Sequence, residues 1–314
     1  MHVPKIGITA LVPPEVIFAC GGEPFDVNNV IPESKKYPKN KLCAWTAIWK
    51  EMLVNREILI DSLIVVAGGD CHNALVDGQK AAKSGIPTHF FFYPFDGDHE
   101  YMESQLLKLS DFLGNIRSPE KFKKIKEVKE MGRKIDAKRC NGRIGSADTF
   151  RVLISFSDLQ GDIEQFKKAI SSIEENRITG EHRVALIGVP PIYYDFHEAA
   201  QSLGLHIVFD ELPFEFLRHG GSDIRTLARD YSDYTFSRPL DFRISFLQKE
   251  LEKRKVEGVI HYTQYACHHN LEDEVIRNEL DYPILTIQGD LPGATSQQVK
   301  LRLEAFKEML GRRA

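Results

Sequence analysis

Short apolar runs alternate along this chain with longer stretches whose hydrophobic positions recur at helical spacing. Residues 5–9, 63–67 and 89–93 read as strands, with helical patterns over 14–19, 41–56 and 73–84 between them. A second series begins past the middle, with strands at 183–189, 206–210, 258–262 and 284–287 and helices over 194–203, 240–255, 272–280 and 296–310. Such alternation predicts parallel strands joined by crossover helices. The expected fold class is therefore α/β, with two Rossmann-like parallel-sheet domains facing a common crevice. The boundary is expected near 145: an N-terminal domain over 1–145 that ends in a basic helical linker, and a C-terminal domain over 146–314. The lysines within 118–145 have the spacing of a solvated surface helix.

Composition narrows the class without changing this picture. The 314 residues are 42% hydrophobic and 27% charged, which suits a globular chain with a core in each half. With 41 basic and 45 acidic side chains the formal charge is −4, so there is no electrostatic case for nucleic acid or an anionic membrane surface as the main partner. No apolar run approaches the roughly 18 to 20 residues of a membrane span, and the N-terminus enters a strand directly; a cytoplasmic location is expected. Five cysteines without close pairing argue for thiols or metal ligands over structural disulfides.

Three of those cysteines carry the candidate chemistry. Cys43 opens an apolar helical run, while Cys71 and Cys267 each follow a strand. Their separation excludes a local zinc ribbon, whose ligand pairs lie roughly two to four residues apart. If they converge, they offer three thiolates to a soft metal centre and leave one position open. Cys43 also has a plainer reading as a small core residue in an apolar helix. Gly68-Gly69-Asp70-Cys71 reads as a tight turn beyond a strand's carboxyl end, where α/β proteins bind ligands. Cys20 and Cys140 read as packing and linker residues. His72, His268 and His269 are candidates for hydrogen bonds to a cluster, for general-base work, or for a Cys3His zinc site, with simple strand-end polar residues as the plainer reading. Glu15 either approaches the site from the helix after Pro14 or compensates that helix's dipole. Residues 188–191 and 289–293 follow strands and would admit a phosphate or pantetheine arm, although neither matches a nucleotide-binding glycine loop.

The stretch Val12-Pro-Pro-Glu-Val-Ile-Phe-Ala-Cys-Gly-Gly-Glu-Pro24 resembles the N-terminal signature of the 2-hydroxyacyl-CoA dehydratase and benzoyl-CoA reductase family. The Gly-Val-Ile strand ahead of Cys267, the strand end at Asp290 and Gln298-Val-Lys-Leu-Arg302-Leu-Glu-Ala-Phe306 resemble its closing pattern, so the likeness spans nearly the whole chain. The resemblance implies that Cys43, Cys71 and Cys267 hold a [4Fe-4S] cluster with one iron lacking a protein ligand. It implies an oxygen-sensitive, anaerobic iron-sulfur enzyme, a dehydratase (lyase) that removes water from a 2-hydroxyacyl-CoA by low-potential single-electron (ketyl radical) chemistry. Glu15, His72 and His268 are the catalytic candidates. The implied partners are an acyl-CoA or related small molecule, a paralogous subunit or second copy, and an ATP-hydrolysing iron-sulfur activator protein. Two alternatives stand beside this: an ATP-dependent reductase, benzoyl-CoA reductase-like or double-cubane-like, and a zinc-binding scaffold without redox chemistry. The chain departs from the family pattern where His72 and His268 follow the ligand cysteines in place of the commoner Asp, and where Leu301 stands for Thr.

Overall fold

The computed structural model describes residues 2–9, 11–38, 42–68, 71–176, 178, 180 and 182–312. Among the described residues eight strands form two sheets: β1 (Lys5–Ile8), β2 (Glu23–Asp26), β3 (Ser62–Gly68) and β4 (Thr88–Phe92), then β5 (His182–Gly188), β6 (Leu205–Asp210), β7 (Gly258–Gln264) and β8 (Ile284–Gly289). The strand orders are β2-β1-β3-β4 and β6-β5-β7-β8, and every pairing is parallel. Both sheets thus carry the same permutation, with the order reversing between β1 and β3 in one and between β5 and β7 in the other. Crevices open beyond the strands' carboxyl ends at such reversals.

The central strands are continuous apolar runs, as strands covered on both faces must be. Leu63, Ile64, Val65 and Val66 of β3 are fully buried, each contributing roughly 1.5–3 kcal/mol by leaving water. The expected strands are present to within a few residues at each end. The sequence reading missed β2, a four-residue edge strand containing Pro24. Proline cannot donate to a sheet ladder and so is tolerated at an edge, while its presence lowers the strand signal.

The helices that bear on the site are α1 (Pro14–Ala19), α2 (Ala44–Val54), α3 (His72–Lys83), α4 (His99–Phe112), α5 (Glu120–Cys140), α6 (Ser146–Ile154), α7 (Ile163–Ser171), α8 (Phe196–Ser202), α9 (Glu211–Glu215), α10 (Ile224–Tyr231) and α11 (Leu240–Lys253). The basic segment expected to be a solvated linker is a core helix. One face of α5 exposes lysines, while Phe122, Ile125, Val128, Gly132 and Ile135 of the other are buried in a hydrophobic cluster that runs through both halves of the chain. Two of its cations lie inside as well. Lys129 donates to Glu15 Oε1 (2.6 Å) and to Tyr231 Oη (2.7 Å), and Tyr231 donates to Glu15 Oε2 (3.0 Å). Arg139 is clamped between Asp136 (2.5 Å) and Asp210, and Arg254 also donates to Asp136 (2.5 Å). Burial alone would push the Asp210 carboxyl up; His197 and Arg139 outweigh it and hold it low. Buried charges of this kind survive only as pairs.

Candidate metal and substrate site

Cys43 precedes α2, Cys71 precedes α3, and Cys267 precedes the 3-10 turn His268–Glu272. All three therefore occupy the residue at which a helical turn begins, where unpaired backbone N–H groups concentrate positive potential that favours a thiolate. At Cys71 the contact is direct: Ala74 N–H donates to its Sγ (3.4 Å). Gly69 and Asp70, expected in the tight turn before Cys71, lie outside the described residues, as does Lys41 ahead of Cys43.

All three cysteines line one cavity of about 330 Å³. Its walls come from the two order reversals: Thr9 beyond β1 and Cys71 beyond β3 from one sheet, Val189 to Pro191 beyond β5 and Gln264 and Cys267 at the end of β7 from the other. The two cysteine loops are tied together by Asn73 Nδ2, which donates to the carbonyl of Ala266 (2.9 Å). Ala266 sits at φ 60°, a left-handed conformation that costs an L-residue about 1–2 kcal/mol and turns the chain sharply before Cys267. Gly188 supplies a second turn: at φ +91° its missing Cβ would lie 2.2 Å from the Tyr262 carbonyl oxygen. Its N–H donates to Glu211 Oε2 (2.7 Å), so this group is committed to a carboxylate rather than to a phosphate. The loop that follows β8, 289–293, is not part of the cavity wall.

Much of the remaining apolar wall is aromatic. Trp45 and Trp49 of α2, Phe150 of α6, and Tyr193, Tyr194 and Phe216 line it. Trp45 Nε1, Trp49 Nε1 and Gln264 Oε1, on three of the lining side chains, are buried without a hydrogen-bond partner among the described residues. Apolar walls with a few orienting polar atoms are the usual construction of a small-molecule site.

The histidines divide. His269 is 2% exposed and lines the cavity, and its Nδ1–H donates to Glu272 Oε2 (2.8 Å). Burial raises the Glu272 carboxyl, but the His269 hydrogen bond and Arg243 overcome this and bring it to about 2. Arg243 is itself buried and donates to both oxygens of Glu211 (Nε to Oε1, 2.6 Å; Nη2 to Oε2, 2.8 Å) and to Glu272. His72 and His268 do not line the cavity; both are exposed, and they lie near enough for His72 to bear electrostatically on His268. The ligating atoms of Cys267, His268 and His269 fall within 4.8 Å of one another.

Glu15 is not brought to the cavity, because Lys129 and Tyr231 hold its carboxylate inside the α1–α5–α10 packing. Cys20 and Cys140 lie elsewhere too. Cys20 is buried with its thiol against Ser110, where burial raises it, and Cys140 Sγ accepts from Arg183 Nη2 (3.3 Å). Sequence reasoning missed Asp26, which ends β2, is 2% exposed and lines the cavity. The signal available was its place beside the Asn28-Asn29 turn, but the strand that carries it was itself unread.

Among the described residues no helix is long and apolar enough to cross a membrane. No curated protein matches the chain. The family model described as 2-hydroxyglutaryl-CoA dehydratase, D-component, matches residues 9–310, an interval that takes in β2 to β8 and all three cavity cysteines. On that match the chain belongs to the 2-hydroxyglutaryl-CoA dehydratase D-component family.

Proposed function

We propose that this chain is the iron-sulfur subunit of a 2-hydroxyacyl-CoA dehydratase-type enzyme, with Cys43, Cys71 and Cys267 as the protein ligands of a [4Fe-4S] cluster. The observation that carries the reading is the approach of three helix-initiating cysteines, from both halves of the chain, to one cavity. The donor chemistry fits such a group. Backbone N–H groups of Thr46 and Trp45 favour a thiolate at Cys43 while burial opposes it and raises the thiol, a cost that the charge of a bound metal would offset. When bound, a cluster with an open iron supplies low-potential electrons and a Lewis acid for a substrate oxygen.

The residues of the chain do the remaining work. Tryptophans and tyrosines exclude water and hold a planar or apolar substrate group, while the unpartnered N–H groups of Trp45 and Trp49 offer donors to a carbonyl or hydroxyl oxygen. The Glu211–Arg243–Glu272 chain orients His269 against the cavity. Electrons come from a separate ATP-hydrolysing activator, and a second copy or paralogue of the chain is the stable partner. Protein purified anaerobically should be brown and hold about four irons with matching sulfide per chain. Zinc without sulfide would replace this reading with that of a zinc-binding scaffold, to which Cys267, His268 and His269 already offer clustered ligand atoms.

His72 and His268 are proposed to tune the centre, since each directly follows a ligand cysteine. Replacing either imidazole by a carboxylate adds negative charge beside a cluster that gains an electron on reduction, which disfavours the reduced form. His72→Asp and His268→Asp are therefore expected to retain iron and to shift the reduction potential downward in an anaerobic redox titration. An unchanged or raised potential in both would make them ordinary loop residues.

A further inference from the structure

Asp26 is a deeply buried carboxyl on the cavity wall, and nothing in the proposed ligand set uses it. It stands at the carboxyl end of β2, beside the β1–β3 reversal that also brings Thr9 and Cys71 to the cavity. Its Oδ1 accepts from Asn28 N–H (2.9 Å) and Asn28 Nδ2 (2.9 Å), and the Ser157 side chain also hydrogen-bonds the carboxyl. Asp158, 5% exposed, lies directly behind it. The Asp26 N–H donates to Asp158 Oδ2 (2.9 Å), Asn29 Nδ2 donates to the same oxygen (3.5 Å), and Gln160 N–H donates to Oδ1 (2.9 Å). A carboxyl that accepts three N–H bonds is built to be the ionised member of a pair. Burial raises Asp158 too, but these donors oppose it, whereas Asp26 has the charge of Asp158 added to its own burial, so the proton belongs to Asp26.

We propose that Asp26 is the acid–base residue of the cavity: it gives its proton to the oxygen that leaves a bound 2-hydroxyacyl substrate and recovers one from the substrate carbon. This rests on the dehydratase reading above. The C–H bond breaks and its electron pair becomes the new C=C bond. The C–O bond breaks with its pair on oxygen, which takes the Asp26 proton and departs as water. Asp26 ends the cycle protonated, as it began, and no outside acid or base is consumed.

The electrostatics agree with that role. Burial, then the negative charge of Asp158, pushes the Asp26 carboxyl up to about 7, and the Asn28 and Ser157 hydrogen bonds only partly oppose them. Other charged groups on the packed elements are already occupied: Arg151 pairs with Glu198 on the cavity wall, Lys5 on β1 lies over Phe25, and Glu15 on α1 is held by Lys129. Glu33, also on the wall, is exposed. Proton exchange near neutral pH is what a general acid–base group requires.

The test uses the anaerobically purified protein and ethyl diazoacetate, which esterifies protonated carboxyls with loss of N2 and spares carboxylates. Peptide mapping should find the ester on Asp26 at pH 6, with labelling about tenfold lower at pH 8, as a carboxyl near 7 requires. Asp26→Asn should lose that label and keep wild-type iron per chain. No ester at Asp26 at pH 6, or equal labelling at both pH values, overturns the proposal. Loss of iron in Asp26→Asn would overturn it as well, by making the residue part of the site's framework. Iron-free wild-type protein would remove the dehydratase reading, while the labelling would still report whether Asp26 is an acid.

Discussion

Serine at Cys43, Cys71 or Cys267 is expected to lower the iron content of anaerobically purified protein by about tenfold or more, while serine at Cys20 or Cys140 leaves it unchanged. The contrast follows from position. The first three begin helical turns on the wall of one cavity, whereas Cys20 is packed against Ser110 and Cys140 is engaged by Arg183. An alkoxide ligand is harder than a thiolate and a poor match to a soft iron-sulfur centre. Each variant should keep its circular dichroism, because serine fills nearly the same volume and also serves as a helix-capping residue. Wild-type iron in Cys71→Ser would remove that residue from the ligand set and leave the cavity with two candidate thiolates.

The second large effect is expected at Arg243. Its guanidinium is 1% exposed and is the shared partner of Glu211 and Glu272, and through Glu272 it supports His269 on the cavity wall. Arg243→Met leaves Glu211 buried and unpaired, a kind of change that costs about 3–5 kcal/mol. For a chain of this size that is a fall in Tm on the order of 10 °C. The pH dependence has a definite sign. Glu272 is held at about 2, below its ordinary value of 4.5, so its stabilisation is complete above 4.5 and is lost as the pH falls toward 2. The gap between wild type and Arg243→Met should therefore narrow over that interval. Thermal melts from pH 7 downward test this; a gap under about 1 kcal/mol at pH 7 would show that Glu211 finds another partner.

The architecture was legible because it is written in apolar runs. β7 is buried along its whole length and β3 everywhere but its two end residues, and a run of Leu, Ile and Val between turn residues admits few other readings. The site was legible in part for a related reason: cysteines just beyond strand ends fall at the order reversals once the strands are placed. What stayed hidden depends on partners distant in sequence. Lys129 and Arg139 look like members of a solvated basic helix until Glu15 and Asp210, from other elements, are seen to take them up. Glu15 looked like an active-site acid for the same reason, its cation being 114 residues away. Asp26 was invisible because its meaning comes from Asp158, 132 residues on, and from a proline-containing edge strand too short to announce itself.

The central claim is that Cys43, Cys71 and Cys267 hold one iron-sulfur cluster in the cavity between the two sheets. Anomalous diffraction at the iron edge, from crystals of protein purified and grown without oxygen, tests it most directly. The account predicts a compact iron peak in that cavity with density reaching all three Sγ atoms at about 2.3 Å, the usual metal–thiolate distance. It predicts one iron with no protein ligand. A cavity without iron, or a lone zinc held by Cys267, His268 and His269, would contradict it.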